Sequence, residues 1–312
     1  MRSVPTPKVG IGMPVYNGER FLEEALDSIL GQSFEDFELV ISDNASTDRT
    51  EEICRHYASK DDRIRYSRNR LNYGMAHNFN TVFRLSSGQY FKWAASDDVC
   101  GSEYLARAVE ILDRDPSVVL TWPKTRGIDD SGDLVDLPSE ISDLNGPLSV
   151  YSPDPAVRFR RLVRNWWWAD GPFHGLIRAD VLANTRLHAR HTGGDQLLLA
   201  ELSLLGRFYE IPEELFFVRM HPGKTSHSAK TLRQRAALAE GRPVDRGIFR
   251  WWIWVRGYPQ RAWTYLRIVS LAPIDRRKKL LCYGEAIRTV FAWSRLRAGQ
   301  LLSGRSPWGS SS

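Results

Sequence analysis

Short apolar runs alternate with amphipathic segments through the first 122 residues of the chain. Apolar runs at residues 9–16, 38–42, 64–66 and 90–95 predict four buried strands. After each run, apolar side chains recur three or four positions apart, which is the spacing of an amphipathic helix. Repeated strand–helix alternation is typical of parallel sheets. The pattern therefore predicts an α/β fold with a mostly parallel, Rossmann-like sheet and helices on both faces.

The pattern is less regular after residue 122. Residues 127–145 are polar and predict a hairpin or a flexible loop. The other segments predict helices at 104–112, 156–163, 179–182 and 197–205, and strands at 118–122, 173–177, 208–212 and 215–220, with the last two strands paired. Three adjacent tryptophans at 166–168 indicate either an exposed apolar binding surface or a crowded corner of the core.

The C-terminal part of the chain has a different charge balance. From Gly241 onward there are 14 Lys or Arg and 3 Asp or Glu, a net charge of +11, whereas residues 1–240 carry −5. Leu280, Tyr283, Ile287 and Phe291 form a helical stripe in this basic tail. A basic amphipathic helix is typical of a membrane surface, although packing on the body or nucleic-acid binding would also use one. We expect an anionic membrane surface as the partner, and no nucleic acid.

Composition limits the environment of the protein. Cys54, Cys100 and Cys282 lie far apart, form no metal-binding spacing and favour a reducing compartment. The N-terminus has no apolar signal core, and no apolar run is long enough to span a bilayer. The expected location is the cytoplasm, with attachment to the inner face of the cytoplasmic membrane through the basic tail.

Adjacent carboxylates follow the fourth predicted strand. Asp97 and Asp98 lie just past its carboxyl end, where parallel sheets place their binding sites. Two neighbouring acids repel each other unless a cation lies between them, and Mg²⁺ is held by one or two carboxylates together with substrate phosphates. The alternative is that one of them caps a helix that begins near Ser102.

Two further polar residues, in the second half of the chain, are candidates for a functional role. Asp195 follows Gly194 at the start of the leucine-rich helix, where it could act in catalysis or simply cap the helix. His221 ends the last strand, and a lone histidine in that position has either a structural or a ligand role.

Several short motifs in this order resemble the family 2 glycosyltransferases, which have the GT-A fold. They lie at strand ends between residues 8 and 223, and they are Pro14–Asn17, Ser42–Asp48, Asn72–Gly74, Ser96–Asp98, Gly194–Asp195 and Arg219–Gly223. The resemblance implies an inverting enzyme that uses a nucleotide-diphospho sugar and a divalent metal, Mg²⁺ or Mn²⁺, in cell-envelope polysaccharide or glycolipid synthesis. Residues 1–122 would bind the nucleotide sugar, residues 123–235 the acceptor, and residues 236–312 would form a basic extension.

The resemblance also implies roles for individual residues. Pro14, Tyr16, Asn17, Asn72 and Gly74 would line the nucleotide pocket, and Asp43 would accept a hydrogen bond from uracil or thymine. Asp98 would hold the metal, with His221 close to it, and Asp195 would be the general base. Ser96 replaces the first acid of the usual D-x-D motif, so Asp97 would supply its contact, and Gly194 replaces a common glutamate. A nucleotidyltransferase and a non-catalytic binding protein are the alternatives.

Overall fold

The computed structural model describes residues 6–137, 149–164, 170–189, 193–221 and 249–303. The tryptophan triplet at 166–168, residues 138–145 of the polar segment, and Pro222–Gly223 lie outside these residues. The strands in the described part are β1 (Val9–Val15), β2 (Phe37–Asp43), β3 (Ile64–Arg68), β4 (Tyr90–Trp93), β5 (Val99–Cys100), β6 (Val118–Ile128), β7 (Leu134–Val135), β8 (Leu176–Arg178) and β9 (Arg207–Arg219). The helices are α1 (Leu22–Leu30), α2 (Thr50–Ala58), α3 (Met75–Leu85), α4 (Tyr104–Arg114), α5 (Pro155–Arg164), α6 (Asp170–Phe173), α7 (Ala179–Ala183), α8 (Gly194–Leu205), α9 (Phe249–Leu271) and α10 (Arg276–Ser303).

The described strands form one mixed sheet in the order β3-β2-β1-β4-β8-β6-β9-β5, with β7 paired to β6. Strands β1 to β4 are parallel to one another, and β6 is parallel to β9. Strand β8 runs antiparallel between β4 and β6 and joins the two parallel groups. The predicted α/β class with a mostly parallel sheet is therefore confirmed.

Apolar side chains cover both faces of the sheet because the central strands are buried on both sides. One core cluster packs α1, α2 and α4 against one face, and the other packs α3, α7 and α8 against the opposite face. Glycines allow the closest contacts: a Cβ on Gly88 would lie 2.1 Å from the backbone nitrogen of Gly10. This contact brings the start of β4 against β1.

Several predicted boundaries are wrong. The two strands predicted at 208–212 and 215–220 form one continuous strand, β9 (Arg207–Arg219), rather than a pair. Strand β9 pairs with β6 through several register shifts. Strand β6 extends to Ile128 rather than ending at residue 122, and the predicted strand at 173–177 is the end of α6 followed by β8. The helix predicted at 104–112 is confirmed as α4, which begins at Tyr104, whereas the short strand β5 was not predicted. The hairpin is confirmed by the pairing of β6 with β7.

The basic extension packs on the body of the protein. Its helices α9 and α10 share a third core cluster with α5 and α8, and this cluster includes Tyr265, Ile268, Val269, Cys282 and Ala286. Within the described residues, no helix combines the length and hydrophobicity needed to cross a membrane. The packing alternative for the tail thus holds for one face of each helix.

This packing makes the extension part of the stability of the fold. Ile268 is 2% exposed in the third cluster, so Ile268→Ala should lower the free energy of unfolding by about 2–5 kcal/mol. Leu271 on the same helix is 66% exposed, and Leu271→Ala should change it by less than about 0.5 kcal/mol. Urea unfolding of both variants measures the difference. Equally small effects would mean that α9 contributes nothing to the stability of the body.

Candidate active site

The carboxyl ends of β1 to β4 meet at one edge of the sheet. Val15 at the end of β1 is in register with Asp43 at the end of β2, and Asp43 is in register with Arg68 at the end of β3. The acidic motif follows β4 at the same edge, where a Cβ on Gly18 would lie 3.2 Å from Ser96 Oγ. The polar loops that follow β1, β2 and β4 therefore lie together at the carboxyl edge of the sheet, as expected for parallel strands.

The loop after β1 is tied to the loop after β2. Asn17 has a left-handed backbone with φ of 51°, and its backbone N–H donates to Ser46 Oγ at 2.9 Å. Its side-chain oxygen accepts from the backbone N–H of Thr47 at 2.9 Å, so Asn17 connects the two loops through both its backbone and its side chain. Tyr16 next to it is 48% exposed and Pro14 is half-buried. An exposed aromatic ring at a strand end is a suitable surface for a flat ligand.

Asp43 is fully buried at the end of β2. Its Oδ1 accepts from the backbone N–H of Ser46 at 2.8 Å, and its Oδ2 accepts from Tyr66 Oη at 2.9 Å and contacts Arg68 Nε at 3.2 Å. Burial raises the pKa of Tyr66, and the hydrogen bond to Asp43 and its charge raise it further, so the phenol remains a donor. A carboxylate has about four acceptor positions, and these contacts use three of them.

A turn after β3 carries Asn72 and Gly74. The side-chain oxygen of Asn72 accepts from Asn44 Nδ2 at 2.8 Å and from the backbone N–H of Gly74 at 2.9 Å. Gly74 has φ of 86° and precedes the first residue of α3, a conformation that favours glycine. Buried Asn78 in α3 donates to the backbone carbonyl of Ser42 at 2.7 Å. These asparagines fix the turn against the end of β2.

The two acids of the motif have different surroundings. Asp97 is 25% exposed, and its Oδ2 lies 3.0 Å from His221 Nε2. Asp98 is buried, and its Oδ1 accepts from the backbone N–H of Arg219 at 2.9 Å. Neither acid caps α4, which begins six residues after Asp98 at Tyr104. The helix-cap alternative is therefore wrong.

A buried guanidinium connects the acidic motif to three other segments. Arg219 is 0% exposed. Its Nε donates to the carbonyl of Asp97 at 3.1 Å, and its Nη1 donates to the carbonyl of Asp129 at 2.7 Å. It also forms a 2.5 Å ion pair with Glu24 and lies 4.6 Å from the ring centroid of Phe21. The conformation of the acidic motif thus depends on α1, the β6–β7 hairpin and β9.

A second buried cation lies below the motif. Lys92 in β4 is 1% exposed, its Nζ donates to the carbonyl of His174 at 3.0 Å, and it lies 4.4 Å from the ring centroid of Tyr104. Burial lowers the pKa of Lys92, whereas the nearby Cys100 and Asp98 oppose that change. A positive charge at this position offsets part of the repulsion between the acids.

Asp195 lies on a separate turn, at the start of α8. The residue before the helix is Gly193, whose φ of 81° leaves Asp195 in the first turn rather than at the cap position. A Cβ on Gly193 would lie 2.8 Å from the Arg261 guanidinium of α9, and Arg261 also donates to Gln196. Burial raises the pKa of Tyr265, on which the charges of Arg261 and Asp195 act in opposite directions. The extension therefore contacts the turn that carries Asp195.

The same turn is also held by α3, which lies in the first part of the chain. The backbone N–H of His188 donates to Asn80 Oδ1 at 2.9 Å, and Asn80 Nδ2 donates to the His188 carbonyl at 3.0 Å. The His188 ring lies 5.3 Å from that of Phe79 and within contact distance of a Cβ placed on Gly194. Asp195 is consequently fixed between α3 and α9.

A divalent metal fits the residues at the acidic motif when a substrate completes its coordination. Among the residues that the structure describes, no three His, Cys, Asp or Glu side chains form a group that could hold a metal ion. Asp97, Asp98 and His221 offer carboxylate oxygens and one imidazole, which suit Mg²⁺ or Mn²⁺. Mg²⁺ usually takes one or two carboxylates and fills its remaining positions with water and substrate phosphates, so two adjacent acids are compatible with such an ion without a group of three protein ligands.

The structure brings together most of the predicted site residues, but not all of them. The loops that carry Tyr16, Asn17, Asp43, Asn72, Asp97, Asp98 and His221 share the carboxyl edge, whereas Asp195 lies on the α8 turn. No role was predicted from the sequence for Arg219, Lys92 or Glu24. A charged residue inside an apolar strand was the available signal for Lys92. The hydrogen-bond and ion-pair partners of Arg219 lie 90 to 195 positions away along the chain, so no local pattern indicates them.

Comparison with known proteins places this geometry in a family. Residues 11–178, more than half of the chain, match the model of glycosyl transferase family 2. EpsE of Bacillus subtilis (strain 168), a provisionally named glycosyltransferase, is 37% identical over 109 residues, which are 35% of this chain and 39% of EpsE. The first three curated relatives are matched over only 14% to 39% of their own length.

Solved structures share the fold over nearly the whole chain. S. aureus TarS 1–349 in complex with UDP-GlcNAc has a TM-score of 0.67 at 19% identity, covering 94% of this chain and 75% of that one. The mannosyltransferase PcManGT from Pyrobaculum calidifontis in complex with GDP-Man and Mn²⁺ has a TM-score of 0.52 at 17% identity, covering 97% and 82%. At such identities the likeness concerns the fold, and it confirms the predicted GT-A type.

Proposed function

Since the chain belongs to glycosyl transferase family 2, we propose that it transfers a sugar from a UDP- or dTDP-sugar to a hydroxyl of a glycan or glycolipid, inverting the anomeric carbon. The observation that carries the proposal is the Asp97–Asp98 motif at the carboxyl edge, where Asp98 is fixed by the backbone of Arg219 and Asp97 by His221. The UDP-GlcNAc bound to TarS and the GDP-Man bound to PcManGT support a nucleotide-sugar donor.

In the proposed reaction, the acceptor hydroxyl attacks the anomeric carbon from the face opposite the diphosphate, and the bond from that carbon to the diphosphate breaks. Asp195 takes the proton of the hydroxyl, which is the work of a general base. In-line attack from the opposite face gives inversion. A divalent metal held by Asp98 and His221 would neutralise the charge that develops on the leaving diphosphate.

The surrounding residues would orient the donor. Asn17, Asn72 and Gly74 shape the loops around the nucleotide, and the exposed ring of Tyr16 and the adjacent Pro14 would line the pocket. Asp97 would contact the sugar or ribose in place of the acid that Ser96 replaces. Placed at the inner face of the cytoplasmic membrane, the protein would reach an acceptor attached to lipid.

A donor screen tests the proposed function directly. UDP-, dTDP- and GDP-sugars are incubated with the full chain and Mn²⁺ or Mg²⁺, and release of the nucleoside diphosphate is measured with and without a lipid-extract acceptor. We expect metal-dependent release from a UDP- or dTDP-sugar. Binding of a donor without any release in either condition would indicate a non-catalytic binding protein.

In this proposal, Asp43 determines which nucleobase of the donor is preferred. Its remaining acceptor position suits the N–H of uracil or thymine, and its full burial means that the loop after β2 must move when a base binds. A hydrogen bond to a charged group contributes about 1.5–3 kcal/mol, so UDP and dTDP should bind about 10- to 150-fold more tightly than GDP. Calorimetry with the three nucleotides measures this difference. Tighter binding of GDP would exclude the proposed role of Asp43.

A further inference from the structure

Helix α10 has two apolar faces, and only one of them is covered. Cys282 and Ala286 are buried in the third core cluster with α5 and α8. On the opposite side, Leu280 is 71%, Ile287 47% and Phe291 65% exposed. These positions are separated by seven and four residues, so their side chains follow one stripe along the helix. A helix that served only to pack on the body would have a polar outer side.

Basic residues border this stripe. Leu281 is also exposed, and Arg276, Arg277 and Arg288 are exposed on the same helix. The acid within residues 276–291 is Glu285, which is 8% exposed and pairs with Arg164 at 2.9 Å and with Arg288 at 3.4 Å, while the Arg288 side chain stays 69% exposed. We call the α10 outer face the surface formed by Arg276, Arg277, Leu280, Leu281, Ile287, Arg288 and Phe291.

We propose that the α10 outer face binds the surface of an anionic lipid bilayer, with the helix parallel to the membrane plane. The exposed apolar side chains would enter the region between head groups and acyl chains, as in interfacial amphipathic helices. The flanking arginines would meet lipid phosphates and other anionic head groups, each strengthening binding about fivefold. The inference extends the membrane location in the proposed function and does not depend on the reaction.

Charge and hydrophobicity distinguish this partner from two others. A second copy of the chain would place its own arginines against Arg276, Arg277 and Arg288, and like charges at an interface oppose association. Nucleic acid would use the arginines but leave Leu280 and Phe291 without an apolar partner, because its affinity comes mainly from phosphate contacts. A bilayer satisfies both parts of the surface.

Vesicle co-sedimentation of the full chain, without donor or metal, tests the proposal. Vesicles of phosphatidylcholine with about one third phosphatidylserine are compared with pure phosphatidylcholine. We expect binding to the mixed vesicles, at least about tenfold weaker binding to the neutral ones, and a loss of at least about tenfold in the Leu280→Asp/Phe291→Asp variant. Leu134→Asp, at another exposed leucine, should bind like the unchanged protein.

Further outcomes bear on the alternatives. Unchanged vesicle binding by the double variant would overturn the proposal, as would equal binding to neutral and anionic vesicles. Sedimentation that reveals a dimer lost in the same variant, together with no vesicle binding, would assign the face to a second copy. Stronger binding to duplex DNA than to mixed vesicles would assign it to nucleic acid. The melting temperature of each variant is measured to check that it remains folded. We expect little change, because all the substituted side chains are exposed.

Discussion

Asp195→Asn should reduce sugar transfer by at least about 10²-fold while the protein stays folded and binds the donor as before. Asparagine has nearly the size of aspartate but cannot take a proton from the acceptor hydroxyl. Because Gly193 rather than Asp195 precedes the helix, the substitution removes no cap. Losing one negative charge in the first turn of α8 should cost only about 0.3–1 kcal/mol of stability.

A matched control separates the charge effect from catalysis. Asp180 lies in the first turn of α7 and accepts a hydrogen bond from the backbone N–H of Val181. Asp180→Asn should produce a similar small loss of stability and no loss of transfer. Melting temperature, calorimetric donor binding and transfer are measured on the same preparations. Full transfer by the Asp195 variant would move the general base elsewhere, and an unfolded variant would make Asp195 a structural residue.

Asp98→Asn should lower transfer by about 10³-fold or more, because a metal ion contributes several kcal/mol of charge stabilisation in such reactions. An asparagine oxygen can still accept from the backbone N–H of Arg219, so the local fold should persist. We also expect weaker binding of Mn²⁺ in the presence of UDP, measured by calorimetry. Removing the metal with a chelator should reduce transfer by the unchanged protein to a similar level.

Asp113 provides the control for this substitution. It lies at the opposite edge of the sheet, where it accepts from Tyr90 Oη at 2.6 Å and pairs with Lys8. Asp113→Asn should leave transfer and Mn²⁺ binding unchanged and lower stability slightly. If Asp98→Asn retained near-normal turnover with an unchanged response to Mg²⁺ or Mn²⁺, Asp98 would not be the metal ligand.

The sequence was sufficient for the parts of the fold that depend on local periodicity. The apolar runs of β1 to β4 and the spacing in the helices between them need no knowledge of distant residues. Strand β9 was misread because polar residues near Glu213 resemble a turn, whereas β6 accommodates that interruption through bulges. No local signal indicates which strand supplies the partner, since β6 lies about 90 residues earlier.

The candidate site also has parts that local sequence patterns predict and parts that depend on distant residues. The positions of Asp43, Asp97 and Asp98 at the ends of buried strands were predictable, because each follows an apolar run that local periodicity identifies as a strand. The position of Arg219 depends on how the two halves of the sheet join through β8, which a list of predicted elements does not contain. The contact between Arg261 and the α8 turn was also not predictable, because it results from the packing of α9 on the body.

The contacts of Arg219 have a consequence for the order in which the protein matures on the ribosome. The loops of the proposed nucleotide pocket all belong to the first 98 residues, but Arg219, which holds the acidic motif, is translated about 120 residues later. Synthesis proceeds at roughly 5–20 residues per second, so the nascent chain spends about 6–24 seconds with this pocket incomplete. During that interval Asp98 lacks the backbone donor of Arg219 and the Asp97 carbonyl lacks its guanidinium partner, so the acidic motif reaches its final conformation only late in synthesis.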